Sequence, residues 1–387
     1  MAANTAYGMA GGGTAEAEQG GAYLGENAYY YCAMQAAPPR PQWENLVGQR
    51  KELIYGVGDA WANGTVLHYY FFNQASDVQR VHMSDGSERL YSWVGADEQL
   101  AIVRDAFKKW SDVGIGLRFV EVNTRDEAEI RIGFLQDNTS WSGVGVNLLN
   151  REYFGANERT MNFGWDLRRQ PDTAIHEIGH AIGFEHEHQN PFAGIEWDEE
   201  AVYKDLGGPP NNWSREMTFH NVLQKLESAS VRGTPWDPDS VMEYPFKKGL
   251  IKSPRQFFQD GLRPSGGLSA KDKQRALMLY PMLAERPQPL SPAQSVALHV
   301  KPGEQLNFQV TPEETRCYDF KTFGTSDVSM VLFEEEGGEP RFRAGDNDTG
   351  ETRNAALKVK LIKDHKYILR VRVYYQERPA QCALMMW

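Results

Sequence analysis

Cysteine is scarce. Cys32, Cys317 and Cys382 are the three thiols in 387 residues, and none falls between residues 33 and 316. Three cannot all pair, so no disulfide framework holds the middle of the chain; Cys317 and Cys382 are expected to pair in an oxidising compartment. Long apolar runs are missing too. No stretch approaches the ~18 residues of a membrane-spanning helix. Positive charge is in deficit, with a formal net charge of -11, which excludes a nonspecific binder of nucleic-acid backbones because that needs a basic face. The opening residues, MAANTAYGMAGGGTAEAEQGG, contain neither a basic n-region nor an apolar h-region, so no secretory signal is legible there.

What is present suits a folded protein of more than one domain: 41% hydrophobic, 24% charged and 12% aromatic residues. Residues 1–54, rich in Gly, Ala and Pro around AYYYCAMQ, read as a tail or pro-segment. From there to residue 282 the pattern mixes strands and helices. Val66 to Phe72 is a strand opened by the Asn63-Gly64 turn, and LRFVEV and AEIRIGF are further strands. Asp97 to Trp110 carries Leu100, Val103, Phe107 and Trp110 at helical spacing, which predicts a helix backing the sheet. Ser269, with Asp272 three residues on, opens another helix. Residues 283–292 hold three prolines in ten and read as a linker. Beyond them ALKVKL and YILRVRVYY alternate apolar and polar residues, so residues 293–387 are expected to form a small β-sandwich. The fold class is thus an α+β domain followed by an all-β domain.

One stretch concentrates chemistry: TAIHEIGHAIGFEHEHQNP holds four of the nine histidines. His176 and His180 are four apart, which on an α-helix is ~40° net rotation and ~6 Å of rise, so both imidazoles leave one face and reach one ion. Glu177 stands about a quarter turn away, where it touches a water on that ion without ligating it. Asp172 is the candidate N-cap. Gly183 can adopt positive φ and end the helix, which returns His186 as a third ligand. Three neutral imidazoles leave a position open on Zn2+, as catalytic sites do. His188 and Glu185 lie outside this pattern and read as solvated or hydrogen-bonding groups.

The pattern H-E-x-x-H-x-x-G-x-x-H at residues 176–186 resembles that of the metzincin metallopeptidases, and the chain looks most like the astacins. The resemblance covers about residues 55–282. In it Met242 of DSVMEYPF is the methionine of a tight turn beneath the metal, and Tyr244 is a resting zinc ligand that also stabilises the oxyanion. It implies a twisted mixed sheet with a backing helix and an active-site helix over an irregular lower subdomain. It also implies one catalytic Zn2+, a water activated by Glu177, protein or peptide substrates and an exported enzyme. No nucleic acid, no membrane span and a monomer are expected. Two departures stand out: Asn190 and Phe192 replace the arginine and aspartate that follow the third histidine in astacins. Glu187 is retained, and in that family the corresponding glutamate meets the mature N-terminus.

Several readings stay open. Cys32, about 30 residues before the first strand, is either a zinc ligand in a latent form or an incidental thiol. Asp59 bears a superficial likeness to the aspartate that caps zinc in astacin zymogens. RAGDNDTG, residues 341–350, is either a Ca2+ loop or a polar hairpin. A catalytically silent, zinc-containing binding or adhesion protein is the rival to the peptidase, as is membership of another metzincin family.

Overall fold

The computed structural model describes residue 29 and residues 31–33, 60–74, 77–82, 88–226, 235–283, 286–299, 304–346, 354–373 and 382–387. Asp59 and residues 347–350 lie outside them.

The first unit is built on a five-stranded sheet. Its strands are β1 (Val66–Phe71), β2 (Arg118–Glu121), β3 (Ile130–Gly133), β4 (Trp141–Ser142) and β5 (Met161–Asn162), in the order β2-β1-β3-β5-β4. All neighbours are parallel except β4, which pairs antiparallel with β5 at the edge. Helix α1 (Asp97–Asp112) covers one face and buries Leu100, Val103, Phe107 and Trp110, the residues whose spacing announced it. Tyr69 of β1 stacks on Phe107 with centroids 4.2 Å apart. Strand β3 is buried at every position rather than on alternate ones, because it is central in a parallel sheet with both faces covered.

The second unit is a β-sandwich. Its strands are β6 (Gln288–Pro289), β7 (Ser295–Leu298), β8 (Gln305–Val310), β9 (Arg316–Gly324), β10 (Val328–Glu336), β11 (Glu339–Asp346), β12 (Ala356–Leu361), β13 (Tyr367–Val373) and β14 (Cys382–Met386). One sheet runs β6-β8-β13-β10-β11 and the other β7-β14-β9-β12. Alternate residues Phe308, Tyr318, Phe320, Met330, Leu332, Leu369 and Val371 fill the space between them.

Three expectations need correction here. The stretch 283–292 is not a spacer throughout, since Gln288 and Pro289 join the sandwich sheet beside β8 and Leu290 enters its core. Cys317 and Cys382 are free. Gly324, seven residues along β9 from Cys317, is the partner of Cys382, which at ~3.3 Å per residue separates the thiols by over 20 Å. Calcium finds no oxygen cluster among the described residues of 341–346: Asp346 is buried and accepts the Ala356 amide at 2.6 Å, while Arg343 pairs with Glu334.

The two units meet over β1, all six residues of which are buried. Arg370 of β13 donates to the Asn63 carbonyl at 2.6 Å and lies 4.2 Å over the Phe333 ring. Burial pushes its pKa down to about 9. His68 is 6% exposed and bridges the units: Nδ1 lies 3.2 Å from Glu129 of the first and Nε2 3.2 Å from Glu339 of the second. Arg118 and Arg341 approach Glu339 from either side at 3.5 and 3.4 Å. The hydrogen bond to Glu129 raises the His68 pKa, burial opposes, and the charges of Glu129 and Glu339 add to the rise. A folded pKa above the unfolded value of about 6.5 makes the bridge fully stabilising below that value and lost as pH rises through the folded pKa. His68→Gln should therefore lower the denaturation midpoint of the full chain at pH 5.5 and lower it less at pH 9; an equal loss at both would exclude an imidazolium bridge.

Candidate metal centre

The histidine stretch folds as helix α2 (Asp172–Ala181), buried from Ala174 onward. Pro171 already has helical dihedrals, φ −66° and ψ −25°, so Asp172 is the first helical residue and not the cap. Close packing shapes the helix around glycine. A Cβ at Gly179 would lie 2.4 Å from the Met242 sulfur, so the turn carrying Met242 sits directly against α2.

The C-terminal end of α2 is buried, where orphan carbonyls must find donors. Trp61 Nε1 donates to Ala181 O at 2.8 Å and the Tyr280 hydroxyl to Ile182 O at 2.6 Å. Gly183 then turns the chain at φ 98°, its amide bonding to His180 O at 2.8 Å. This reversal returns His186 to the helix face. The Nε2 atom of His180 lies 3.1 Å from Nε2 of both His176 and His186.

Two carbonyls fix what those nitrogens can do. His176 Nδ1 is 2.7 Å from Val241 O and His180 Nδ1 is 2.7 Å from Phe184 O, so each Nδ1 carries the proton and each Nε2 presents a lone pair. Burial drives the pKa of His176 down to about 4, and burial first with neighbouring imidazoles second takes His180 and His186 well below their usual value. Neutral rings thus turn lone pairs toward one another with no proton between them. An ion explains the arrangement: three nitrogens at ~2.0–2.1 Å from a tetrahedral zinc lie ~3.3 Å apart.

Cys32 is the fourth member. Its Sγ and the three histidine nitrogens lie within 4.8 Å of one another, and it is the single such His/Cys/Asp/Glu group among the described residues. The thiol also donates to Glu177 Oε2 at 3.5 Å. Glu177 is wholly buried, its other oxygen has no hydrogen-bond partner, and burial raises its pKa to about 8. The Tyr244 hydroxyl donates to the Cys32 carbonyl, and its ring packs 4.4 Å from that of His186.

Glu187 has a partner that sequence reading missed. Arg275 Nη1 lies 2.7 Å from its Oε2, and its Oε1 accepts the Asp237 amide at 2.8 Å. In this uncut chain an internal guanidinium therefore fills the role expected of a new N-terminus. Burial still outweighs Arg275 and lifts the Glu187 pKa to about 7. Of the two roles expected for His188, the structure shows the hydrogen-bonding one: the ring is buried, with Nε2 2.9 Å from Asn221 O and Nδ1 3.3 Å from Glu243. An alternating H-E-H-Q run gives no signal for such pairings, since they depend on residues 33 to 88 positions away.

A cleft of ≈ 400 Å³ opens beside His176 and Glu177, with Arg169, Arg263 and Trp165 on its walls. Among the described residues no helix is long and apolar enough to cross a membrane.

Comparison with known proteins agrees on the type of site. Residues 61–192 match the family model described as Matrixin, a metallopeptidase family, which marks the α+β unit as metzincin-type; the family matched is not the astacins. Protein SpAN of Strongylocentrotus purpuratus is 31% identical over 97 residues, 24% of this chain and 14% of SpAN, so the chain spans a small part of that relative. The structure of myroilysin is 28% identical, covering 59% of this chain and 99% of its own, at a TM-score of 0.48. The pre-peptidase C-terminal domain of collagenase from Bacillus anthracis covers 27% of this chain at 12% identity and a TM-score of 0.23.

Arg275→Met should cost roughly 3 kcal/mol, the low end for breaking a buried pair because Glu187 can take up a proton. The double variant with Glu187→Gln should recover most of it. Urea denaturation of the three chains measures the coupling, and strict additivity would mean the pair contributes nothing.

Proposed function

We propose that the chain is a zinc-dependent endopeptidase held latent by its own N-terminal segment. The convergence of three unprotonated imidazole nitrogens beside the buried carboxylate of Glu177 carries this reading. His176, His180 and His186 would hold the zinc. When bound, zinc acidifies a water to a pKa of ~7 and polarises the scissile carbonyl.

The chain's own residues do the rest. Glu177, buried beside the histidines, takes a proton from the attacking water and returns it to the leaving amine. The hydroxyl of Tyr244 donates to the oxyanion, as it now donates to the Cys32 carbonyl. Substrate lies extended along the edge strand β4, where Ala33 of the N-terminal segment already bonds to the Ser140 carbonyl at 2.9 Å. Cys32, whose Sγ lies with the three histidine nitrogens, would take the open position on the ion, and displacing it would open that position and free Glu177. Export of the enzyme accords with the family resemblance and completes the proposal.

Glu177→Ala should retain one zinc per chain and lose cleavage of casein by about 10²–10⁴-fold, the usual weight of a general base. Full activity in that variant removes Glu177 from the chemistry. Cys32→Ala should raise the activity of the full chain without any trimming. Activity no higher than that of the uncut parent rejects the thiol switch and leaves the peptidase reading intact.

A further inference from the structure

The N-terminal segment shows how a peptide sits at this site. Cys32 turns its side chain to the histidines, so its chain neighbour Tyr31 is one residue from the metal. Tyr31 is 2% exposed. Its ring lies 5.2 Å from Tyr244, 6.0 Å from Phe246 and 6.0 Å from Trp213, so two separate stretches of chain, one after Met242 and one around Trp213, wall it. The main chain on either side is held by one amide: Asn211 Oδ1 accepts the Tyr31 N–H at 3.4 Å and Asn211 Nδ2 donates to Tyr29 O at 3.1 Å. Those bonds touch only backbone, so they serve any extended peptide, whereas the aromatic walls select a side chain.

The far end of the slot is polar. Asp205 is bound through Oδ1 to Lys247 at 2.7 Å, while Asp205 Oδ2 and the Tyr31 hydroxyl are both buried with no hydrogen-bond partner. Burial first and the charge of Asp205 second push the Tyr31 pKa well above its ordinary value, so the phenol stays protonated. A slot walled by aromatic rings, with the charge of Asp205 acting on the phenol, fits a phenol or a phenyl ring; a branched aliphatic chain would leave part of it empty.

We propose that the Tyr31 slot, walled by Trp213, Phe246 and Tyr244 and closed by Asp205, is a specificity subsite that receives a tyrosine or phenylalanine next to the scissile bond once the segment is displaced. This rests on the peptidase reading and names its substrate class: peptides with an aromatic residue at one fixed place beside the cut. Tyr31 is then a mimic of that substrate side chain, and the slot explains why an aromatic precedes the latency thiol.

The test uses the zinc-loaded full chain carrying Cys32→Ser, with cleavage sites in a random peptide library read by mass spectrometry. Tyr and Phe should be enriched about tenfold at one position flanking the cut, the weight of one well-buried aromatic anchor. Trp213→Ala should bring the ratio of kcat/KM for an aromatic peptide over its alanine counterpart toward one. Because that variant can disturb folding, a second measurement leaves the protein untouched: the synthetic peptide AYYYSAM should inhibit about tenfold better than AYYASAM. Cleavage without aromatic enrichment, or equal inhibition by the two peptides, overturns the slot and spares the peptidase. Enrichment of Lys or Arg instead overturns it in favour of Asp205 acting as a charge partner. No cleavage of any peptide by the zinc-loaded chain overturns both.

Discussion

The carboxylate of Asp272 is the point on which the metal centre hangs. It is the third residue of the closing helix Ala270–Leu279, and there it completes a reciprocal cap with Ser269. Its Oδ2 also accepts the Val241 amide at 2.8 Å, and its Oδ1 the Ser240 hydroxyl at 2.6 Å. One buried side chain thus ends a helix and fixes the turn that carries Met242. Because the Val241 carbonyl sets the tautomer of His176, the geometry of Asp272 reaches the metal through two hydrogen bonds. A helix cap is ordinarily worth about 1 kcal/mol. Here its greater effect is on which nitrogen of His176 is free to ligate.

How much of this was legible follows from the range of the interactions. Periodicity is local, so α1, β1 and the sandwich strands could be read directly, and so could Ser269 with Asp272. The helix, its glycine stop and the third histidine are also contiguous, and the position of Gly183 at positive φ follows from the need to turn. Asp172 was misplaced as a cap because proline at the helix start can itself take helical dihedrals. Arg275, Glu243 and Asn211 gave no signal. Each acts on a group far along the chain, and nothing in a single sequence couples positions so distant. The absence of a Cys317–Cys382 bridge was equally hidden, since the register of β9 against β14 decides it.

The departure from the astacin pattern also has a physical account. A buried glutamate beside the third histidine needs a cation, and a free N-terminus is one source of charge. Arg275 is another, already covalently in place and almost one turn beyond Asp272 on the same helix. With it, the ion pair that orders the segment after His186 forms in the uncut chain, so trimming need not build the site. On the proposed reading, activation then reduces to displacement of the segment around Cys32.

That covering is strong for reasons separable from the thiol. Cys32 is buried, and burial with the nearby Glu177 charge raises its pKa, so without a metal the thiol stays protonated and donates to Glu177. Zinc held by His176, His180 and His186 would reverse this, because a coordinating thiol gives up its proton. The charge of the thiolate would then be balanced by the ion, and Glu177 would lose its donor. On the proposed reading the segment would be anchored twice, by Cys32 on the metal and by the buried Tyr31 ring, which needs none. Loss of either anchor alone would weaken a peptide whose backbone contacts among the described residues include the Asn211, Ser140 and Tyr244 hydrogen bonds. Each such bond is worth only about 1 kcal/mol net, too little to hold a flexible strand against the entropy it regains. A segment so held is stable while intact and releases when one anchor is removed.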